Sequence, residues 1–253
     1  MKLQSGMRWA LAFALSSSLT SFAGTPSDKK DKPKPESSQI VDSGSFGIFV
    51  RGQRVATETF RIEQQSGNSV IKSQVKETGS SDAASQKADL EITSSGELLR
   101  YEWNQASGGS LSVFPDNDFL KERISSSASA KPAEQAFLLS STTNILDNNF
   151  FVHREVLVWR YLTADCKTEG GNLKCQQGPQ QFGALVPQDR TSISVRIELI
   201  GSEKVTFRGA ERNLLRLNLT GESFEWSLWV DPQDQFKLMR VTIPADTTEV
   251  DRD

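Results

Sequence analysis

The sequence predicts a mainly β fold. The expected form is a curved antiparallel sheet, or half-barrel, of about ten strands wrapped around one or two internal helices; a β-sandwich with a helical insertion is the alternative. Three observations carry this. Apolar residues alternate with polar ones along most of the chain after residue 40, the period of a half-buried strand. Turn-forming clusters interrupt that alternation about every ten residues. One stretch, about 133–162, reads instead as helical, and its second half, Phe150 to Leu162, carries apolar residues around almost the whole circumference of a helix. A sheet that wide must curl, split or close, and a curled sheet needs its concave face filled. The apolar helical stretch is the natural plug.

The chain opens on Lys2 and Arg8, an apolar run from Trp9 to Leu15, and small residues ending in Ser21-Phe22-Ala23-Gly24. Basic head, short apolar segment and small residues predict a secretory signal peptide, residues 1–23, cut after Ala23. The apolar run is shorter than the roughly 20 residues of a membrane span, so the mature chain is expected to have none. Residues 24–39 mix Lys29, Lys30, Lys32 and Lys34 with Pro26, Pro33 and Pro35 and hold no aliphatic side chain until Ile40; they predict a disordered linker. Residues 40–253 are expected to form one β-rich domain.

Within it, Phe46, Ile48 and Val50 alternate, and the phase changes between Val55 and Phe60, which places a bulge or turn near Gly52. Val70 to Val75 follows the turn Ser66-Gly67-Asn68. Ala88 to Thr93 and Leu98 to Trp103 flank the hairpin signal Ser94-Ser95-Gly96-Glu97, with Leu99, Tyr101 and Trp103 read as one face. Leu111 to Phe114 is expected to end at Pro115, and Phe119 to Ile124 to precede a Ser-rich loop. Pro132 and Ala133–Leu139 predict a first helix, from good helix formers. Asp147 is placed to cap a second helix holding Phe150 to Leu162, with a central strand over Val156–Tyr161 as the competing reading. Alternation returns in Ile193 to Leu199, Leu215 to Leu219, Phe224 to Val230 and Lys237 to Ile243, and Pro244 stops it. The sequon Asn218-Leu219-Thr220 falls inside a strand.

Net charge is -3 with a single His and two Cys. That excludes the basic footprint of a nucleic-acid binder and any His/Cys-rich metal site. Dinucleotide, phosphate-loop and nucleophile-elbow motifs are absent, so no cofactor, metal or catalytic residue is assigned. Cys166 and Cys175, separated by a segment containing Gly170-Gly171, are expected to form a disulfide at a loop tip in an oxidising compartment, periplasmic or extracellular. His153 is the one imidazole. Its simplest role is a hydrogen bond between helix and sheet; a general base in a hydrolase would need a Ser or carboxylate within reach. Phe150, His153, Leu157, Trp103, Trp159 and Trp226 are the candidates to line an apolar binding cavity, with Trp229 and Phe114 also aromatic enough to do so.

The run Gly44-Ser45-Phe46-Gly47-Ile48-Phe49-Val50-Arg51-Gly52-Gln53-Arg54-Val55 to Phe60-Arg61-Ile62 resembles the opening hairpin of exported bacterial proteins of unknown function. Leu146-Asp147-Asn148-Asn149-Phe150-Phe151-Val152-His153 and Leu228-Trp229-Val230-Asp231 to Met239-Arg240-Val241 resemble them too. In architecture such families are similar to the outer-membrane lipoprotein carriers, whose half-barrel holds acyl chains against internal helices. The resemblance implies a non-enzymatic envelope protein that binds a lipid, an acyl chain or a partner protein. A structural or interaction module with a fully packed core, and a hydrolase using His153, are the alternatives.

Overall fold

The computed structural model describes residues 38–80, 83–170, 172–176 and 178–253. The expected signal peptide and nearly all of the linker lie outside the described residues. The linker boundary moves by one position, because Gln39 already belongs to the first strand.

Alternation does build a meander. Strands β1 (Gln39–Val50), β2 (Gln53–Gln65), β3 (Asn68–Glu77), β4 (Gln86–Thr93), β5 (Leu98–Gln105), β6 (Ser110–Asp116), β7 (Phe119–Ser125) and β8 (Ala133–Phe137) pair successively and antiparallel. After β9 (Asn144–Ile145) comes the one α-helix among the described residues, α1 (Val152–Asp165), then a separate hairpin of β10 (Cys166–Glu169) and β11 (Asn172–Cys175). The chain returns through β12 (Gln180–Val186), β13 (Thr191–Phe207), β14 (Ala210–Thr220), β15 (Glu225–Asp231), β16 (Lys237–Ile243) and β17 (Thr248–Arg252). Strand β17 pairs with both β16 and β1, so the two halves form a single sheet of 15 strands rather than about ten, and not a sandwich.

That sheet is curled around α1. Glu122 of β7 and Arg190, in the turn between β12 and β13, lie 3.2 Å apart, although 11 strand positions separate β7 from β13. In a flat sheet the same positions would be about 50 Å apart, at roughly 4.8 Å per strand. The two edge strands, β8 and β9, are joined by residues 138–143, a segment that reaches at most about 25 Å. The sheet is open, but its edges are tethered.

Local details follow from the residues. The β1–β2 turn at Arg51 (φ 51°) and Gly52 (φ 76°) has two left-handed residues, the backbone that suits a tight hairpin, and a register shift lies between Ile48 and Phe49. Pro115 continues β6 instead of ending it. There β6 has passed its last pairing with β5, at Val113, so no ladder donor is lost. Leu98 and Tyr101 point inward while Leu99 is exposed, because a shift between Glu91 and Ile92 changes the register of β5 against β4.

The expected helix over Ala133–Leu139 is a strand. β7 offers it a complete ladder from Ile124↔Ala133 to Leu120↔Phe137, and five residues gain more from those bonds than from one helical turn with a costly nucleus. The second expected helix is α1, and the strand alternative over Val156–Tyr161 is wrong. Val152 to Glu155, Leu157, Val158, Tyr161 and Leu162 are all buried, so this helix is apolar on nearly every side because it is enclosed on nearly every side. Asp147 does not cap it; Phe151 occupies the cap position and makes no side-chain capping bond.

Candidate functional site

A helix whose first turn is buried must find acceptors for its free backbone N–H groups. Here they come from the sheet. The Glu58 carboxylate, inward-facing on β2, accepts from Phe151 N at 2.6 Å and Val152 N at 3.3 Å, and Ser73 Oγ donates to it at 2.7 Å. Burial dominates over these bonds and raises the Glu58 pKa to about 7. Asp147, just before α1, accepts from Asn149 N at 2.7 Å, the Tyr101 hydroxyl and the Gln188 amide. The Arg154 guanidinium donates to the carbonyls of Asp147 and Phe150 and stacks on the Phe151 and Trp226 rings. Its pKa falls to about 10, again through burial.

A second buried cluster ties the first turn of α1 to the last strand. Glu155 Oε2 accepts from Leu238 N at 3.0 Å and Arg252 Nη1 at 3.2 Å, and Arg252 also pairs with Asp42 of β1. The Arg252 guanidinium lies over Phe46 and Phe60. Burial and then the neighbouring Asp42 push the Glu155 carboxyl well above its ordinary range.

One face of α1, from His153 to Ala164, borders a cleft of about 430 Å³ between helix and sheet. His153, Val156, Leu157 and Arg160 form the helix wall, at the 3–4 residue spacing that puts side chains on one face. Leu90, Ile92 and Leu98 of β4 and β5, Ile145 of β9 and Phe182 of β12 face them. The β4–β5 turn, Ser94 to Gly96, borders the cleft. Gly96 has φ +82°, and a Cβ there would lie 3.3 Å from Arg160 Cδ. Glycine therefore permits both the turn and the close approach of the Arg160 stem. Arg160 Nη1 then donates to Gly96 O at 3.2 Å and Asn144 Oδ1 at 2.9 Å, bridging the turn to β9.

The candidate residues divide. His153, Leu157 and Trp159 meet at this cleft. Phe150 is fully buried beside the His153 ring, 6.0 Å between centroids. Trp103 donates to Gln86 Oε1 at 2.9 Å, and Trp226 stacks on Phe224 and under Arg154; neither lines the cleft. Phe114 lies under Arg123, and Trp229 packs into a separate small cluster with Phe207, Leu214 and Met239. Arg160, Val156, Ile145 and Phe182 were not singled out. The only signal for Arg160 was its helical spacing from His153. A more open groove of about 340 Å³ lies on the far side of Trp159, beside Val41, Leu162, Cys166, Leu173 and Phe236.

His153 does not make the helix-to-sheet hydrogen bond its simplest role called for. It is 2% exposed, and among the described residues neither ring nitrogen has a hydrogen-bond partner. It packs edge-on against Tyr101. Burial, with the Arg154 charge beside it, holds its pKa down to about 3, so the ring is neutral. No nucleophile–base pair is assembled at it, as a hydrolase would require.

Cys166 and Cys175 are directly opposite in the β10–β11 hairpin and disulfide-bonded. Gly170 takes a positive φ in the turn, while Gly171 lies outside the described residues. Among the described residues no cluster of three or more His, Cys, Asp or Glu could hold a metal ion, and no helix is long and apolar enough to cross a membrane. No protein-family model, curated protein or solved structure matches the chain.

Proposed function

We propose that this chain is a non-enzymatic, exported cell-envelope protein that holds an apolar ligand, a lipid or acyl chain, in the cleft between α1 and the curled sheet. The observation that carries the reading is the cleft itself: about 430 Å³, within the usual 300–1,000 Å³ of ligand sites, with walls apolar over most of their area and polar groups gathered around Arg160 and the β4–β5 turn. The disulfide and the leader-like first 23 residues support export. The resemblance read from the sequence, to families similar in architecture to the lipoprotein carriers, is what favours an acyl ligand. Native mass spectrometry of protein recovered from the envelope, and then mixed with fatty acids and phospholipids, tests it. A bound species of lipid mass is expected; a species that stays ligand-free throughout refutes it.

A second reading, a rigid interaction module, draws on a different observation. The Glu155–Arg252–Asp42 cluster fastens α1 to β17 and β1, which serves a scaffold as well as a binding wall. The same ligand-free result would favour it.

A further inference from the structure

We infer that the ligand of this cleft is an amphiphile with an anionic head, carboxylate or phosphate, seated on Arg160; this rests on the proposed binding role of the cleft.

The guanidinium of Arg160 is half-buried at the cleft, and desolvation lowers its pKa. Among the described residues only Nη1 has hydrogen-bond partners, both of them neutral oxygens. Glu97 is near enough to be felt electrostatically, yet among the described residues no carboxylate forms an ion pair with Arg160. A partly desolvated guanidinium with free donors is suited to a planar or tetrahedral oxyanion. Ser94, Ser95, Thr143, Asn144 and Thr163 gather polar atoms at the same site.

Beyond Arg160 the cleft becomes apolar. Along the helix the stripe runs through Leu157 and Val156 to His153, about 10 Å from Arg160 by helical rise. Burial holds the His153 ring in its neutral form, so it does not compete with Arg160 for an anion. A cleft of about 430 Å³ has room for an acyl chain running away from Arg160. Its charge selects the head.

The test is binding of decanoate, decyl phosphate, 1-decanol and inorganic phosphate to the full-length chain, each below its aggregation limit, followed by tryptophan fluorescence. Decanoate or decyl phosphate should bind at least tenfold tighter than 1-decanol, the tighter of the two naming the head group, and inorganic phosphate alone should bind weakly. Arg160→Gln should reduce that preference to within about twofold by weakening the anions and not the alcohol, while Arg160→Lys keeps most of it. Leu157→Trp should weaken all three decyl probes. Equal affinity for decanoate, decyl phosphate and 1-decanol, or an unchanged preference in a folded Arg160→Gln protein, overturns the anionic head. Absence of binding by any decyl probe instead overturns the cleft as a binding site. If Arg160→Gln does not fold, the loss of preference in wild type between 20 and 500 mM NaCl serves as the readout, and its absence counts against the proposal.

Discussion

Glu58 is the most informative residue to perturb, because its titration is coupled to the cap of α1. Buried in the folded chain, its carboxyl has a pKa of about 7 against 4.5 for the ordinary group. The folded protein therefore holds a proton there that the unfolded chain gives up between those two values. A raised acid pKa contributes stability that is complete below pH 4.5 and is lost as pH rises through 7. At about 1.4 kcal/mol per pH unit, the loss from this one group is about 3 kcal/mol.

Glu58→Gln removes the titration and keeps the shape. With its carbonyl oxygen in place of Oε2, the amide still accepts from Phe151 N, and its NH₂ donates to Ser73 Oγ. The bond from Val152 N, the longest of the three at 3.3 Å, is lost. That is the arrangement a protonated Glu58 would adopt, so near pH 4.5 the variant should match wild type to within about 1 kcal/mol. Above pH 7.5 it should be more stable by about 3 kcal/mol. Urea unfolding followed by tryptophan fluorescence from pH 4 to 8, with the disulfide intact, measures the difference; other titrating groups are common to both proteins and largely cancel. A difference that stays flat within about 0.5 kcal/mol across this range, or a variant less stable at pH 8, would refute the assignment of a buried, proton-holding cap.

His153 should give a single imidazole NMR signal that does not move between pH 8 and pH 5, since its folded pKa lies near 3; a midpoint near 6.5 would show an accessible ring. The sign is opposite to that of Glu58, because a lowered base pKa contributes stability present above pH 6.5 and lost as pH falls towards 3. Arg252→Met should cost about 3 kcal/mol in the same unfolding assay, because it removes the guanidinium shared by Glu155 and Asp42 and leaves Asp42 only Lys237, 3.6 Å away. A loss below about 1 kcal/mol would mean the cluster is wetter than its burial implies.

Alternation located the strands wherever the inward face is uniformly apolar, as in Ile193 to Leu199 and Leu215 to Leu219. It failed at β17, whose inward positions are Thr248, Val250 and Arg252. A single apolar residue in five carries no period, yet this strand joins the two halves of the sheet. The helix over Ala133–Leu139 failed for another reason. Propensity is local, and the free edge of β7 that converts this segment into a strand is visible only once the sheet exists.

The site was harder to read for a related physical reason. A polar side chain in a strand is ordinarily taken as facing water, but Glu58, Glu122 and Arg252 all point into the curl. Glu58 and Arg252 do so because an enclosed helix brings free N–H groups and its own charged side chain, Glu155, to the concave face, and these need partners that water cannot supply. Glu122 does so because the sheet curls far enough to bring Arg190 against it from 11 strand positions away. Each of these polar positions answers a requirement created by a distant part of the chain. The cleft shows the same dependence: the spacing of His153, Leu157 and Arg160 was present in the sequence, but the facing residues come from β4, β5, β9 and β12. Which apolar residues of α1 would be sealed by the sheet, and which left facing a cavity, was therefore decided by how the sheet curls and not by the helix itself.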